Sequence, residues 1–263
     1  MHRTTHFTHA ICRRPPMSAV NGLRAVDTGA PDIARLRADH DAYIAALRAT
    51  GAQVEVLDAA EEFPDSLFVE DTALCLPEGA VVLTPGAPSR RGESELMAKV
   101  LERYYGAVTP LPRGHVEGGD VLVTGREILV GLSARTDRAG AAALSEIVAG
   151  WGHDLRLVET PPGVLHFKTD CSLLEPDTVL ATERLAASGC FAGYRVLRVP
   201  RGEEPAANAI RFNDVVILPA GFAATAEMLT GAGYDVVEIG NDEAARLDGG
   251  MSCLSLRFTP PSA

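Results

Sequence analysis

The sequence predicts a mixed α/β fold made of repeated strand–loop–helix–strand units, and three observations predict it. Five short apolar segments look alike: His9–Arg13, Ala80–Thr84, Glu127–Gly131, Thr178–Thr182 and Asp214–Leu218. All but the first are rich in leucine and β-branched residues, as strands prefer. Several are followed by a similar succession of loop, helix-spaced stretch and second apolar segment. Their starts lie 36 to 71 residues apart, with a mean near the upper end, about 50 residues, of the range that repeat proteins use.

The elements follow in order. After His9–Arg13 the spacing predicts a helix over Pro31–Thr50, stopped by Gly51, and a strand at Val54–Leu57. After Ala80–Thr84 comes the loop P-G-A-P-S-R-R-G. Glu93–Tyr105 then carries Leu96, Val100, Leu101 and Tyr104 at helical spacing. Glu127–Gly131 leads to a helix at Ala139–Ala149 and a strand at Leu155–Val158. Thr178–Thr182 is followed by a shorter loop or helix and by Tyr194–Val199. Asp214–Leu218 is followed by helix Ala223–Leu229, a glycine-rich stop and strand Val236–Ile239. Five like units suggest a closed radial array. One open α/β sheet could give the same pattern, and the repeats alone leave both open. No Pro/Gly/Ser-rich linker divides the chain. One catalytic domain over residues 1–263 is therefore expected, with residues 1–8 a flexible N-terminal tail.

Composition narrows the function. The chain has 263 residues, 46% hydrophobic and 22% charged, enough to bury a large core. Its 35 acids against 24 bases give a formal charge of -11. That argues against a nucleic-acid partner, which needs an electropositive footprint. At 5% aromatics, base-stacking platforms are not expected either. No apolar run reaches membrane-spanning length, so no membrane partner is expected. The first 16 residues lack a signal-peptide apolar region. His2, His6 and His9 there read as a frayed tail rather than a metal site. The cysteines, Cys12, Cys75, Cys171, Cys190 and Cys253, are odd in number and form no C-x-x-C pair. This favours a reducing, cytoplasmic location with mostly buried thiols. Nothing fixes the oligomeric state, and a homodimer stays open.

Four segments break the strand–helix pattern. In Glu62–Asp71 (E-F-P-D-S-L-F-V-E-D) strand alternation cannot separate the acids from the apolar residues. At least one of Asp65, Glu70 and Asp71 should face inward, where a carboxylate needs a cation or several donors. An edge strand with exposed acids is the alternative. In His115–Asp120 (H-V-E-G-G-D) two glycines permit positive φ or close backbone approach. The His-x-Glu pair lacks the P-C-x-x-C partner of zinc deaminases, so no metal is expected; a plain tight turn would also explain it. In Pro161–Asp170, His166 lies in an apolar stretch after a rigid turn. A satisfied core histidine and a catalyst are both consistent with that. In Asp248–Leu256 (D-G-G-M-S-C-L-S-L), Cys253 follows a Gly-Gly turn, either as a buried core thiol or as a nucleophile.

Together these segments say more than singly. A thiol, a histidine and several carboxylates are what attack on a guanidinium carbon requires. Carboxylates hold its N–H donors, the thiolate adds to the central carbon, and the histidine protonates the departing amine and then activates water. No metal or cofactor is needed.

The motifs F-P-D-S-L-F-V-E-D, S-R-R-G-E, V-E-G-G-D, S-A-R-T, L-H-F-K and D-G-G-M-S-C-L-S-L-R-F occur in the order seen in dimethylarginine dimethylaminohydrolases. The chain resembles that family from about His9 to Phe258, nearly its whole length. The resemblance implies the five-bladed α/β propeller, or pentein, fold around a central active site. It implies Cys253 as nucleophile, His166 as general acid/base, and Glu117 as the carboxylate that holds the guanidinium and orients the histidine. It further implies Asp65, Glu70 and Asp71 as substrate-binding acids and Phe68 as a packing residue. Arg90 and Arg135 would bind the substrate's α-carboxylate, and Leu23 and Leu247 would contact substrate through the backbone. The implied reaction converts asymmetric dimethylarginine or monomethylarginine, a small-molecule substrate, to L-citrulline and dimethylamine or methylamine. An arginine deiminase is the nearest rival. Such enzymes carry His-x-Asp where this chain has His166-Phe167-Lys168, and losing that acid leaves room for N-methyl groups. An amidinotransferase would need a second amine site, and a non-catalytic guanidino-binding protein would not need Cys253, His166 and Glu117 together.

Overall fold

The structure, a computed structural model, describes residues 4–261. In chain order the elements are β1 (His9–Arg13), α1 (Ile33–Ala49), β2 (Gln53–Leu57), β3 (Ala73–Leu76), β4 (Gly79–Val82), α2 (Arg91–Tyr105) and β5 (Thr109–Pro110). There follow β6 (Val121–Val123), β7 (Ile128–Leu132), α3 (Arg138–Ala149), β8 (Leu155–Glu159), β9 (Cys171–Glu175), β10 (Thr178–Ala181), α4 (Glu183–Ala187) and β11 (Arg195–Arg198). The last are β12 (Ile210–Phe212), β13 (Val215–Pro219), α5 (Ala223–Gly231), β14 (Asp235–Ile239), α6 (Asp242–Ala245) and β15 (Leu256–Phe258).

These strands form five sheets of three strands each. The five apolar segments supply the middle strands β1, β4, β7, β10 and β13. Each middle strand pairs in parallel with the next strand in sequence: β1 with β2, β4 with β5, β7 with β8, β10 with β11, β13 with β14. A parallel pair needs a crossover, which is why a helix stands between its strands. The other edge of each middle strand pairs antiparallel with a short inner strand: β15, β3, β6, β9 or β12. Each unit thus has three strands, one more than the sequence pattern suggests.

The units close into a ring rather than an open sheet. The position of the cores shows this: among the described residues five hydrophobic clusters each span two neighbouring sheets. Ile11, Leu256 and Phe258 of the first sheet meet Ala73 and Ala80 of the second. Leu74 and Val81 of the second meet Val121 and Ile128 of the third. Leu122 and Leu129 meet Cys171 and Val179 of the fourth. Leu174 and Leu180 meet Val216 and Leu218 of the fifth. Ile210 and Ile217 return to Ala10 and Cys12 of the first. No unit buries its apolar faces without a neighbour on both sides, so the fold is held by a cycle of contacts.

Local signals explain the ends of the elements. Asp32 caps α1 by accepting from Ala34 N–H at 2.9 Å, so the helix begins after Pro31. Gly51, at φ 86°, takes the left-handed conformation that ends it. Residues 4–8, within the expected tail, lie against the fifth sheet. Phe7 stacks on Phe212 at 5.5 Å, and its backbone N–H donates to Asn213 Oδ1 at 2.7 Å. Residues 1–3 of that tail, with His2, lie outside the described residues. Among the described residues no helix is long and apolar enough to cross a membrane.

Candidate active site

The inner strands place the chemistry. A short 3₁₀ turn precedes each: Val69–Thr72 before β3, Gly118–Asp120 before β6, Phe167–Thr169 before β9, Glu204–Ala207 before β12 and Ser252–Leu254 before β15. The turns touch one another around the middle of the ring. They bring Glu70 and Asp71, Glu117, His166 and Cys253 together from four different units. The segment Glu62–Asp71 is therefore not an edge strand. Asp65, Glu70 and Asp71 are all buried, so all three carboxylates need partners.

The glycines of E-G-G-D serve close approach, since neither has a positive φ. A Cβ on Gly118 would lie 2.0 Å from the Glu70 carbonyl oxygen, and one on Gly119 would lie 2.8 Å from the His166 ring. Only glycine lets these turns meet. Gly119 N–H then donates to Asp71 Oδ1 at 2.9 Å.

His166 Nε2 bonds Glu117 Oε2 at 2.6 Å. Burial disfavours the imidazolium, but Asp71, the bond to Glu117 and Asp120 outweigh it and lift the pKa to about 9. The ring is thus protonated at neutral pH. Glu117 is fully buried. Its Oε1 accepts from Gly86 N–H at 3.0 Å and approaches Arg135 Nη1 at 3.5 Å. Asp71 Oδ2 accepts from Arg90 Nη1 at 2.6 Å. Although burial alone would raise its pKa, His166 and Arg90 hold it down near about 2.

Cys253 sits in the last turn, buried, with Gly250 N–H 3.5 Å from its Sγ. Burial, Glu70 and Asp71 push the thiol up to about 12. The turn is anchored from behind. Tyr43 donates to Met251 O at 3.0 Å, and Asn208 Oδ1 accepts from Ser252 N–H at 2.9 Å.

One small pocket, about 30 Å³, is lined by Cys253 and His166, by Asp65, Asp71, Arg90 and Arg135, and by Leu23, Phe68 and Leu247. Nine of the residues singled out from the sequence meet there. Glu117 lies directly behind His166. Burial raises the Asp65 carboxyl, which accepts from Leu23 N–H at 2.9 Å. Arg90 is buried between Asp71 and Glu93, with Nη2 donating to Phe68 O at 2.9 Å. Glu70 stands apart. Its carboxylate bonds Lys168 Nζ at 2.6 Å and Arg257, and it lines a second, larger cavity of about 820 Å³ among the inner strands. Neither Cys253 nor His166 lines that cavity; both line the smaller one.

Asp71, Glu117 and His166 bring one ligand-type atom each within 4.8 Å of one another. A metal there would have to displace the imidazole proton and compete with Arg90 for Asp71. The trio fits an acid–imidazolium network instead.

Sequence reasoning missed four supporting residues. Lys168 and Asp120 lie inside the motifs, where their own bonds were the missing information. Arg257 lies just past Cys253. Asn208 sits in G-E-E-P-A-A-N, where nothing in the sequence marks it.

A family profile described as eukaryotic N,N dimethylarginine dimethylhydrolase matches residues 28–155. The N(G),N(G)-dimethylarginine dimethylaminohydrolase of Pseudomonas aeruginosa is 39% identical over 254 residues, 96% of this chain and 100% of that protein. The protein of the same name from Streptomyces coelicolor is 33% identical, over 95% of this chain and 96% of its own. A structure of the Pseudomonas protein, a cysteine-to-serine mutant complexed with citrulline, superposes with a TM-score of 0.93 at 38% identity, covering 96% of this chain and 100% of that one. The N-terminal domain of ArgZ, a cyanobacterial arginine dihydrolase, shares the fold, with a TM-score of 0.84 at 20% identity over 96% of this chain and 98% of its own.

Proposed function

Because this chain belongs to the dimethylarginine dimethylaminohydrolase family, we propose that it hydrolyses Nω-methylated L-arginines to L-citrulline and methylamine or dimethylamine, with Cys253, His166 and Glu117 as the reacting constellation. The observation that carries this reading is His166, held by Glu117 at 2.6 Å, lining one pocket with the Cys253 thiol and two carboxylates.

The steps follow from the charges. A guanidinium enters between Asp65 and Asp71 and offsets the negative field around Cys253. The thiol gives up its proton to solvent, and the thiolate adds to the guanidino carbon. His166 gives its proton to the methylated nitrogen, the C–N bond breaks, and the amine leaves a cationic S-alkylthiouronium. Neutral His166 then takes a proton from water as the hydroxide adds to the same carbon. The new tetrahedral centre loses its hydroxyl proton to solvent, collapses to the ureido carbonyl and expels the thiolate, which takes a proton from solvent to restore the neutral thiol. Glu117 stabilises the imidazolium at both ends of the cycle.

Arg90 has one Nη1 hydrogen beyond its bond to Asp71, and Arg135 lines the pocket with its side chain 21% exposed. Both suit the substrate's α-carboxylate. The N–H groups of Leu23 and Leu247 are taken by Asp65 and Ala244, so their carbonyls are the backbone groups left for the substrate ammonium. A pocket of about 30 Å³ holds little more than a water. No metal takes part in this scheme, and a cytoplasmic setting suits its free thiol.

A panel of arginine, monomethylarginine and the symmetric and asymmetric dimethylarginines, assayed for citrulline, tests the reading. Monomethyl- and asymmetric dimethylarginine are expected to turn over fastest. Faster turnover of arginine would make the protein a deiminase instead.

A further inference from the structure

Asp120 ends the segment that begins with Glu117, yet it does not line the pocket. Its side chain is 0% exposed. Oδ2 accepts from Ser133 Oγ and from Thr136 Oγ1, each at 2.7 Å. Oδ1 accepts from Phe167 N–H at 2.8 Å. Each donor leads to a residue of the site. Thr136 Oγ1 has one hydrogen and spends it on Asp120, so a lone pair is left to accept Glu117 N–H at 3.1 Å. Ser133 Oγ likewise spends its hydrogen on Asp120 and accepts Arg135 N–H at 3.0 Å and Thr136 N–H at 3.2 Å, which fixes the turn presenting Arg135. Phe167 N–H is the amide next after His166.

Three donors therefore converge on one side chain, and only an acceptor-only group satisfies them all. An amide of the same shape fails in either orientation. Turned one way, its NH₂ meets Ser133 Oγ, whose lone pairs already accept Arg135 N–H and Thr136 N–H, and both hydroxyl hydrogens lose their acceptor. Turned the other way, it faces the Phe167 N–H.

We propose that Asp120 is a positioning residue that fixes Glu117, Arg135 and His166 in one register without touching the substrate, its carboxylate oxygens accepting from all three donors, setting the direction of both hydroxyls and acting on the imidazole. His166 is also acted on by Asp71 and Glu117, and it lines the pocket with Cys253, Arg90 and Arg135. Asp120 is thus one of three carboxylates acting on it and, like Glu117, does not line the pocket.

The test is Asp120→Asn in the full chain, with two readouts. The kinetic readout rests on the hydrolase reading: kcat on asymmetric dimethylarginine is expected to fall on the order of 10- to 100-fold, as for other residues that orient a reacting group. The second does not depend on that reading. The titration midpoint of the His166 ring, followed by NMR in the ligand-free protein, is expected to move down by roughly one pH unit. Thr136→Val and Thr136→Ser cover the case in which Asp120→Asn does not fold. The valine variant should lose several-fold in kcat, and the serine variant should restore it. A folded Asp120→Asn protein with an unmoved His166 midpoint and wild-type kcat would overturn the proposal, as would equal kcat for the two Thr136 variants. If the wild-type protein turned over no methylarginine, the hydrolase reading would fail while the midpoint shift still judged Asp120.

Discussion

Lys168 Nζ donates to Glu70 Oε1 at 2.6 Å, joining the residue two past His166 to the residue just before Asp71. Arg257, four residues past Cys253, bonds the same oxygen. One buried carboxylate therefore gathers the segments of Cys253, His166 and Asp71. This also explains the lysine that follows His166-Phe167. It belongs to the scaffold beneath the site, and no carboxylate stands at that position to hold an unmethylated guanidinium nitrogen.

Lys168→Met should therefore act on stability before chemistry. It leaves Glu70 buried with one cationic partner instead of two, and urea denaturation should register a loss of about 2 to 4 kcal/mol. An unchanged midpoint would mean that Arg257 alone satisfies Glu70.

The Cys253 thiol should be neutral in the free protein near pH 7, because burial and the acids at Glu70 and Asp71 push it up to about 12. Ultraviolet titration of thiolate, with Cys253→Ser subtracted, should show no Cys253 signal at neutrality and a rise only well into the alkaline range. A full thiolate signal at pH 7 without ligand would contradict this field.

His166 gives stability a defined pH dependence. Its folded pKa, about 9, lies above the unfolded value of 6.5. Folding therefore favours the protonated ring. The stabilisation is fully present below about 6.5 and is lost as pH rises through 9. The Tm difference between wild type and His166→Asn should shrink across that window. A difference that grows instead would reverse the assigned direction.

Gly119→Ala tests the close approach of two turns. The added methyl would meet the His166 ring at 2.8 Å and Asp71 Oδ1 at 3.1 Å. Overpacking of this kind costs about 1 to 3 kcal/mol. It should also lower kcat more than Tm alone accounts for, because the His166–Glu117 bond is displaced. Wild-type kcat in the alanine variant would show that the turn relaxes without moving the imidazole.

Much of this was legible beforehand. The middle strands are buried on both faces, so they read as continuous apolar runs; β1 occupies the predicted residues His9–Arg13. The inner strands escaped because they are short and run straight on from the site turns; β6 has three residues and directly follows E-G-G-D. β5 is two exposed residues, one a proline. Cys253, His166, Glu117 and Asp71 could be singled out because their residue types carry the chemistry. The direction of Glu70 could not, since alternation along a turn depends on backbone angles that the sequence pattern does not show. Asn208 acts through one bond to Ser252 N–H, a contact 44 residues away in sequence.

The pairing of β15 with β1 joins the two ends of the ring. On the ribosome, β1 emerges before every other strand and its antiparallel neighbour after every other strand, so one edge of β1 stays unpaired in the meantime. Cys253 lies just ahead of that closing strand and is the last of the site residues to be translated. The thiol thus reaches the acids only when the circle is completed.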